Sequence, residues 1–209
     1  MNTLEPKRKR LLKPLLIVIS APSGAGKSTL CDALLAHYPE ITYSISCTTR
    51  DPRGSEEDGV DYFFLSEKEF REKITASAFL EHATVHGNLY GTLKAPVYEA
   101  FKEGCSVLMD IDVQGAEQVR EAVAKLPSGD PLREGFLDIF ILPPDMETLR
   151  ERLCNRGEDS PACIARRLEN AREEMEAAHD FRHRVTNDEL ATAVKALVDI
   201  VEVAAGRLA

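Results

Sequence analysis

The sequence predicts an α/β sandwich, three layers deep around a central mostly parallel sheet, with a small strand-rich insert. Three observations carry this expectation. An apolar run opens into a glycine-rich turn and then a helical pattern. Two later apolar runs are each followed by a helical pattern. The stretch between the first run and these two consists of short alternating segments.

Composition sets the outer bounds. At 209 residues and 44% hydrophobic content, the chain can bury the core of one domain carrying a mobile subdomain. Its 26 Lys and Arg against 35 Asp and Glu give a formal charge of −9, which argues against a protein that coats nucleic acid. Any phosphate site must then be locally basic. The five cysteines (Cys31, Cys47, Cys105, Cys154, Cys163) form no CxxC pair and are odd in number, so free thiols in a reducing cytoplasm are expected. No apolar stretch approaches the roughly 18 residues of a membrane span, so no membrane partner is expected either. Residues 1–14, with Lys7, Arg8, Lys9, Arg10 and Lys13, read as a basic disordered leader.

The elements follow in order. Leu15 to Ile19 is rich in branched residues, as a strand buried on both faces requires, and Ser28 to His37 carries Leu30, Ala33 and Leu34 at helical spacing. Cys105 to Ile111 and Phe136 to Leu142 are further buried strands, followed by helices over Val113 to Lys125 and Asp145 to Cys154. The insert covers 41–92, with turn clusters such as Pro52-Arg53-Gly54-Ser55 and aromatics at Tyr62, Phe63 and Phe64. Core is expected at 15–40, 93–150 and 173–209. Leu126 to Glu134 reads as a surface loop. Glu189 to Leu208 reads as an amphipathic helix burying Leu190, Ala193, Leu197, Ile200 and Val201.

Ala21-Pro22-Ser23-Gly24-Ala25-Gly26-Lys27-Ser28-Thr29 joins the first strand to the first helix, the context of a phosphate-binding P-loop. Backbone N–H groups of the turn and the helix start surround phosphate oxygens, Lys27 adds a full charge, and Ser28 offers a hydroxyl to Mg²⁺. The usual first residue is glycine, so Ala21 must avoid positive φ. Asp110, following a buried strand, is placed to reach the same Mg²⁺ through water, and Asp110 and Asp112, two apart, are expected on one strand face.

A P-loop alone does not choose among kinases, GTPases and ATPases. Further segments do: Ser46-Cys47-Thr48-Thr49-Arg50-Asp51-Pro52-Arg53, Gly59-Val60-Asp61-Tyr62, Phe79-Leu80-Glu81-His82-Ala83, Gly87-Asn88-Leu89-Tyr90-Gly91-Thr92 and Asp110-Ile111-Asp112-Val113-Gln114-Gly115. With these motifs in order from about Ile17 to Leu190, the chain closely resembles the guanylate kinase family. The resemblance implies a P-loop three-layer sandwich, transfer of a phosphoryl group from ATP to GMP or dGMP with Mg²⁺, and a GMP site of Ser46, Arg50, Arg53, Tyr62, Glu81, Tyr90, Thr92, Asp110 and Asp112. It also implies an arginine-bearing lid over 151–172, where Arg156 and Arg167 contact the transferring group and Arg152 stands on the donor side. Asn187, in Val185-Thr186-Asn187-Asp188, is a candidate adenine contact; Asn187 or Asp188 could equally cap the last helix.

The residues make chemical sense beside that likeness. Arg50 and Arg53 can grip a phosphate dianion with forked bonds, while Tyr62 and Tyr90 add neutral donors. Guanine offers N1–H and a 2-amino group along one edge, which ionised Glu81, assisted by Asp112, can accept. Adenine lacks both and would leave buried carboxylates unpaired. Ser46 and Thr92 hydroxyls can complement O6 and N7. Arg152 and Arg156, four apart on one helix face, repel unless an anion lies between them. Two rival readings are a non-catalytic guanylate-kinase-like module binding phosphopeptides and a kinase of another phosphorylated acceptor.

Overall fold

A computed structural model of the chain describes residues 11, 13–85, 87–155 and 160–206. The chain runs through β1 (Leu16–Ser20), α1 (Lys27–His37), β2 (Ile41–Tyr43), β3 (Cys47–Thr48), β4 (Phe63–Phe64), α2 (Glu67–Thr75), β5 (Phe79–Val85) and β6 (Asn88–Leu93). It continues through α3 (Lys94–Lys102), β7 (Ser106–Asp110), α4 (Val113–Ala124), α5 (Pro131–Glu134) and β8 (Phe136–Leu142). The last elements are α6 (Met146–Asn155), α7 (Pro161–Glu176), β9 (His183–Thr186) and α8 (Leu190–Ala204).

Five strands form the core sheet in the order β2-β7-β1-β8-β9, every pair parallel. Strand β1 lies at the centre with all five residues buried. Its side chains alternate between two apolar layers, as the two-residue strand period demands. Ile17 and Ile19 pack with Leu30, Leu34, Leu197 and Val201 of α1 and α8, whereas Leu16 and Val18 pack with Val97, Phe101, Val119 and Val123 of α3 and α4. Helices thus cover both faces of a parallel sheet, which is why β1 and β8 are apolar at nearly every position.

The insert forms a second sheet, β4-β3-β6-β5, mixing a parallel β3–β4 pair with antiparallel β3–β6 and β5–β6 pairs. Its small core is Cys47, Phe70 and Phe79, with the Phe70 and Phe79 rings stacked at 4.4 Å. Helix α2 supplies Phe70 and is started by a capping box in which Ser66 and Glu69 satisfy each other's backbone N–H.

Several boundaries differ from the expectation. Strand β2, placed by its sequence in the insert, pairs with β7 in the core sheet. Leu11, assigned to the disordered leader, is buried against the core, and its N–H donates to Glu40 at 3.1 Å; residues 1–10 and 12 lie outside the described residues. The surface loop at 126–134 contains α5, capped by Asp130, whose other oxygen accepts from the Tyr98 hydroxyl at 3.0 Å, and Leu132 there is fully buried. A proline at N1 and an aspartate cap start this short helix with no apolar period to betray it. In α8, Ala193, Leu197 and Val201 are buried, but Leu190 is 47% exposed because it stands at the first helical position, before the helix meets the core.

Candidate active site

Between β1 and α1 the chain makes the tight turn that the glycines permit. Gly24 and Gly26 have φ of 93° and 91°, a region closed to most side chains. Any Cβ on Gly26 would collide with the Asn187 amide, and one on Gly24 would come within 3.0 Å of Leu153. Ala21 does not have positive φ, so the alanine at the first position introduces no strain. Residues Ala21, Pro22, Ser23, Gly24, Gly26, Lys27 and Ser28 line a cavity of about 310 Å³ that Asp112 and Glu174 close from the far side.

Lys27 is fixed at the end of β7. Its Nζ forms an ion pair with Asp110 and donates to the Ile111 carbonyl at 3.2 Å. The β1–β7 register, which sets Ile19 opposite Asp110, brings the two charges together. Asp112 does not share a strand face with Asp110 as expected. Strand β7 ends at Asp110, and Asp112 becomes the N-cap of α4, accepting from Gly115 N–H at 2.8 Å. An aspartate at a helix start satisfies an otherwise orphaned amide, and that local demand outweighs the strand period.

Asp112 nonetheless meets Glu81. A Cβ on Gly115 would lie 3.4 Å from Asp112 Oδ1 and 3.4 Å from Glu81 Oε2, so both carboxylates flank one glycine. Glu81, on β5, is 6% exposed and pairs across the sheet with Thr92 of β6. Burial pushes its carboxyl above the ordinary value and Asp112 adds to that push. Thr92 favours the charged form and partly offsets both, although its hydroxyl makes no well-formed hydrogen bond among the described residues. Two converging acids with unspent acceptor capacity form a slot for an edge that carries two donors.

A cationic cluster stands beside that slot. Arg50 donates Nε to the Tyr90 hydroxyl at 3.3 Å, and its guanidinium lies 5.4 Å from the Tyr62 ring, which meets Tyr90 edge to face at 6.0 Å. Glu56, a residue the sequence reading passed over, takes Nη1 and Nη2 of Arg50 in a fork at 2.9 Å each and accepts from Arg53 N–H at 2.7 Å. These bonds hold its carboxyl below the ordinary range. The arginine spacing continues to Glu56 in three-residue steps, Arg50, Arg53, Glu56, which was the available signal. The Arg53 side chain is exposed, and Ser46, half-buried, accepts through its carbonyl from Phe63 N–H at 2.9 Å.

On the other side of the phosphate loop, Gly24, Gly26, Thr29, Arg152, Asn155, Asn187, Asp188 and Leu190 line a second cavity, of about 430 Å³. Arg152 donates Nη2 to the Asn187 carbonyl at 2.9 Å, while its buried Nη1 has no partner among the described residues. Asn187 lines this cavity and is not the cap of the last helix. Its amide donates to the Ala25 carbonyl at 2.8 Å, splinting the back of the phosphate loop, and the cap of α8 is Glu189. Arg167 is half-buried on α7; Arg156 lies outside the described residues.

A parallel sheet feeding a P-loop, an anion cavity at that loop and an acidic slot sharing its Asp112 wall define a phosphotransferase of the P-loop nucleotide-kinase class. Residues 13–204 match the family model for guanylate kinase. Proteins named guanylate kinase from Coxiella burnetii and Symbiobacterium thermophilum are 47% and 44% identical over 189 residues, each covering 90% of this chain and 87% and 85% of the relative. One from Synechocystis sp. is 44% identical, covering 91% of this chain and 94% of the relative. The crystal structure of guanylate kinase from Anaplasma phagocytophilum superposes with a TM-score of 0.66 at 28% identity, covering 94% of this chain and 88% of that one. The chain belongs to the guanylate kinase family.

Proposed function

We propose that this chain transfers the terminal phosphoryl group of ATP to GMP, giving ADP and GDP. The observation that carries the reading is the shared wall: Asp112 lines the phosphate-loop cavity and, across Gly115, faces Glu81. In this reading the triphosphate lies along Ala21–Thr29 with Lys27 on its β and γ groups, and the adenosine end occupies the cavity bounded by Arg152 and Asn187. Arg50, Arg53, Tyr62 and Tyr90 hold the GMP phosphate. Glu81 and Asp112 accept from the guanine donors, and Ser46 and Thr92 face O6 and N7.

Phosphoryl transfer passes through a loose, in-line transition state, so orientation and fixed positive charge supply most of the acceleration. Lys27 and Arg152, with Arg156 and Arg167 of the lid, carry that charge, and closure of insert and lid on the core excludes water. Magnesium fits the donor set. Ser28 is exposed on the first turn of α1, Asp110 ends the neighbouring strand, and among the described residues no three His, Cys, Asp or Glu side chains cluster to hold a metal by themselves. A mostly water-held ion suits Mg²⁺, which sheds its hydration reluctantly and would neutralise phosphate charge when bound. No helix among the described residues is long and apolar enough to cross a membrane, and we place the enzyme in the cytoplasm.

A phosphopeptide-binding module has no use for an intact phosphate loop with Lys27 and Ser28. A sugar phosphate would leave Glu81 and Asp112 without donors. The test is ADP formation from ATP and Mg²⁺ with a panel of acceptors. Turnover with GMP and little with AMP, CMP or ribose 5-phosphate is expected. A folded protein that binds phosphopeptide and turns over none of these acceptors would contradict the proposal.

A further inference from the structure

Glu174 is a carboxylate inside an anion pocket. It stands in the last turn of α7, where Glu173 and Glu176 are also acidic and no basic residue occurs. Helix C-termini disfavour negative charge, so nothing local recommends a glutamate there. Its side chain nevertheless reaches the 310 Å³ cavity and lines it together with the phosphate loop and Asp112. Ser23 N–H and the Lys27 charge favour its ionised form, while burial, first of all, and then Asp112 and Glu173 oppose it. One oxygen, Oε2, is fully buried and has no hydrogen-bond partner among the described residues.

A buried acceptor without a donor is unfavourable, and it persists where a ligand brings the donor. The triphosphate itself cannot, since at neutral pH its oxygens accept and its charge repels a carboxylate. Lys27 does not supply it either: two of its three N–H donors go to Asp110 and Ile111, and Glu174 Oε2 receives none among the described residues. What enters a phosphate pocket carrying both positive charge and O–H donors is a hydrated divalent cation. Its charge also removes the repulsion between Glu174 and the phosphates.

We propose that Glu174 is a metal-positioning residue whose carboxylate accepts a hydrogen bond from water on the Mg²⁺ accompanying ATP. The inference rests on the ATP-binding reading above. It makes α7, which also carries Arg167 two turns earlier on the same face, sense whether the metal-loaded nucleotide is in place.

The test compares wild type with Glu174→Gln, which keeps the shape and removes the charge. Calorimetry measures binding of a non-hydrolysable ATP analogue with excess Mg²⁺ and again with the metal chelated. The proposal expects Mg²⁺ to tighten binding to wild type, and the substitution to cut that tightening roughly fivefold or more by weakening the metal-loaded complex while sparing or strengthening the metal-free one. A side chain that only packs would shift both complexes alike, and a tightening unchanged within about twofold overturns the proposal. Glu174→Asp, which keeps the charge, is expected to retain most of the tightening; loss as large as in the Gln variant, or larger, also overturns it. Should wild type bind no ATP analogue at all, the nucleotide-binding reading itself fails, whereas normal wild-type tightening preserved in Glu174→Gln defeats this inference alone.

Discussion

The Asn187 amide donates to the Ala25 carbonyl at 2.8 Å across 162 residues of sequence, tying the turn after β9 to the centre of the phosphate loop. The loop is therefore shaped from behind by a side chain no local pattern connects to it. Because Gly26 leaves room for that amide, Gly26 and Asn187 form one unit.

Asn187→Ala removes the donor and strands a buried carbonyl, a loss of about 1–3 kcal/mol. Thermal melting is expected to fall, and KM for ATP to rise more than KM for GMP. An unchanged ATP KM would show that the splint does not shape the nucleotide site.

Glu81→Gln tests the acidic slot in two directions. Guanine loses a charge-assisted acceptor, so KM for GMP is expected to rise roughly tenfold to a hundredfold while KM for ATP changes little. The free protein should become more stable at neutral pH, because burial raises the Glu81 pKa and ionising it opposes folding. The sign follows from proton counting. Below the ordinary carboxylate value both folded and unfolded chains are protonated and the variant gains nothing; its advantage opens as pH rises from there through the elevated folded pKa and is complete above it. Melting curves of both proteins from acidic to neutral pH check this. An advantage that shrinks with rising pH would contradict it.

Glu56→Gln loosens the fork on Arg50 without touching the phosphate loop. KM for GMP is expected to rise roughly tenfold with kcat and KM for ATP nearly unchanged, because Arg50 loses its fixed orientation. A lowered GMP KM would instead mean that Glu56 competes with the acceptor phosphate.

Thiol labelling should sort the cysteines by burial. Burial pushes the Cys31 thiol up to about 12 and Cys47 up to about 11, so neither forms thiolate at neutral pH, whereas Cys154 is exposed. Iodoacetamide is expected to modify Cys154 in the native protein and to reach Cys31 and Cys47 after unfolding, as peptide mass spectrometry would show. Prompt native labelling of Cys31 would contradict its burial beneath β1.

The core sheet was legible because its signals are local. The apolar run at β1, the glycine turn and the helical spacing of Leu30 and Leu34 each lie within about ten residues. Glu81 and Asp112 were singled out through the family likeness, and the fold brings both beside Gly115. Asp112 as a helix cap, β2 in the core sheet and the burial of Leu11 depend on which neighbours the fold supplies. Glu56 and Glu174 were missed for a related reason. Each is one of several acids in its stretch, and only the packed structure singles out the one that meets an arginine fork or a phosphate cavity.

The most direct measurement is a crystal structure with GMP and a non-hydrolysable ATP analogue bound together. The account predicts the guanine N1–H and 2-amino group on Glu81 and Asp112, and the triphosphate on the Gly24–Ser28 turn beside Lys27. A purine lying away from Glu81, or a triphosphate bound elsewhere than at Lys27, would contradict it.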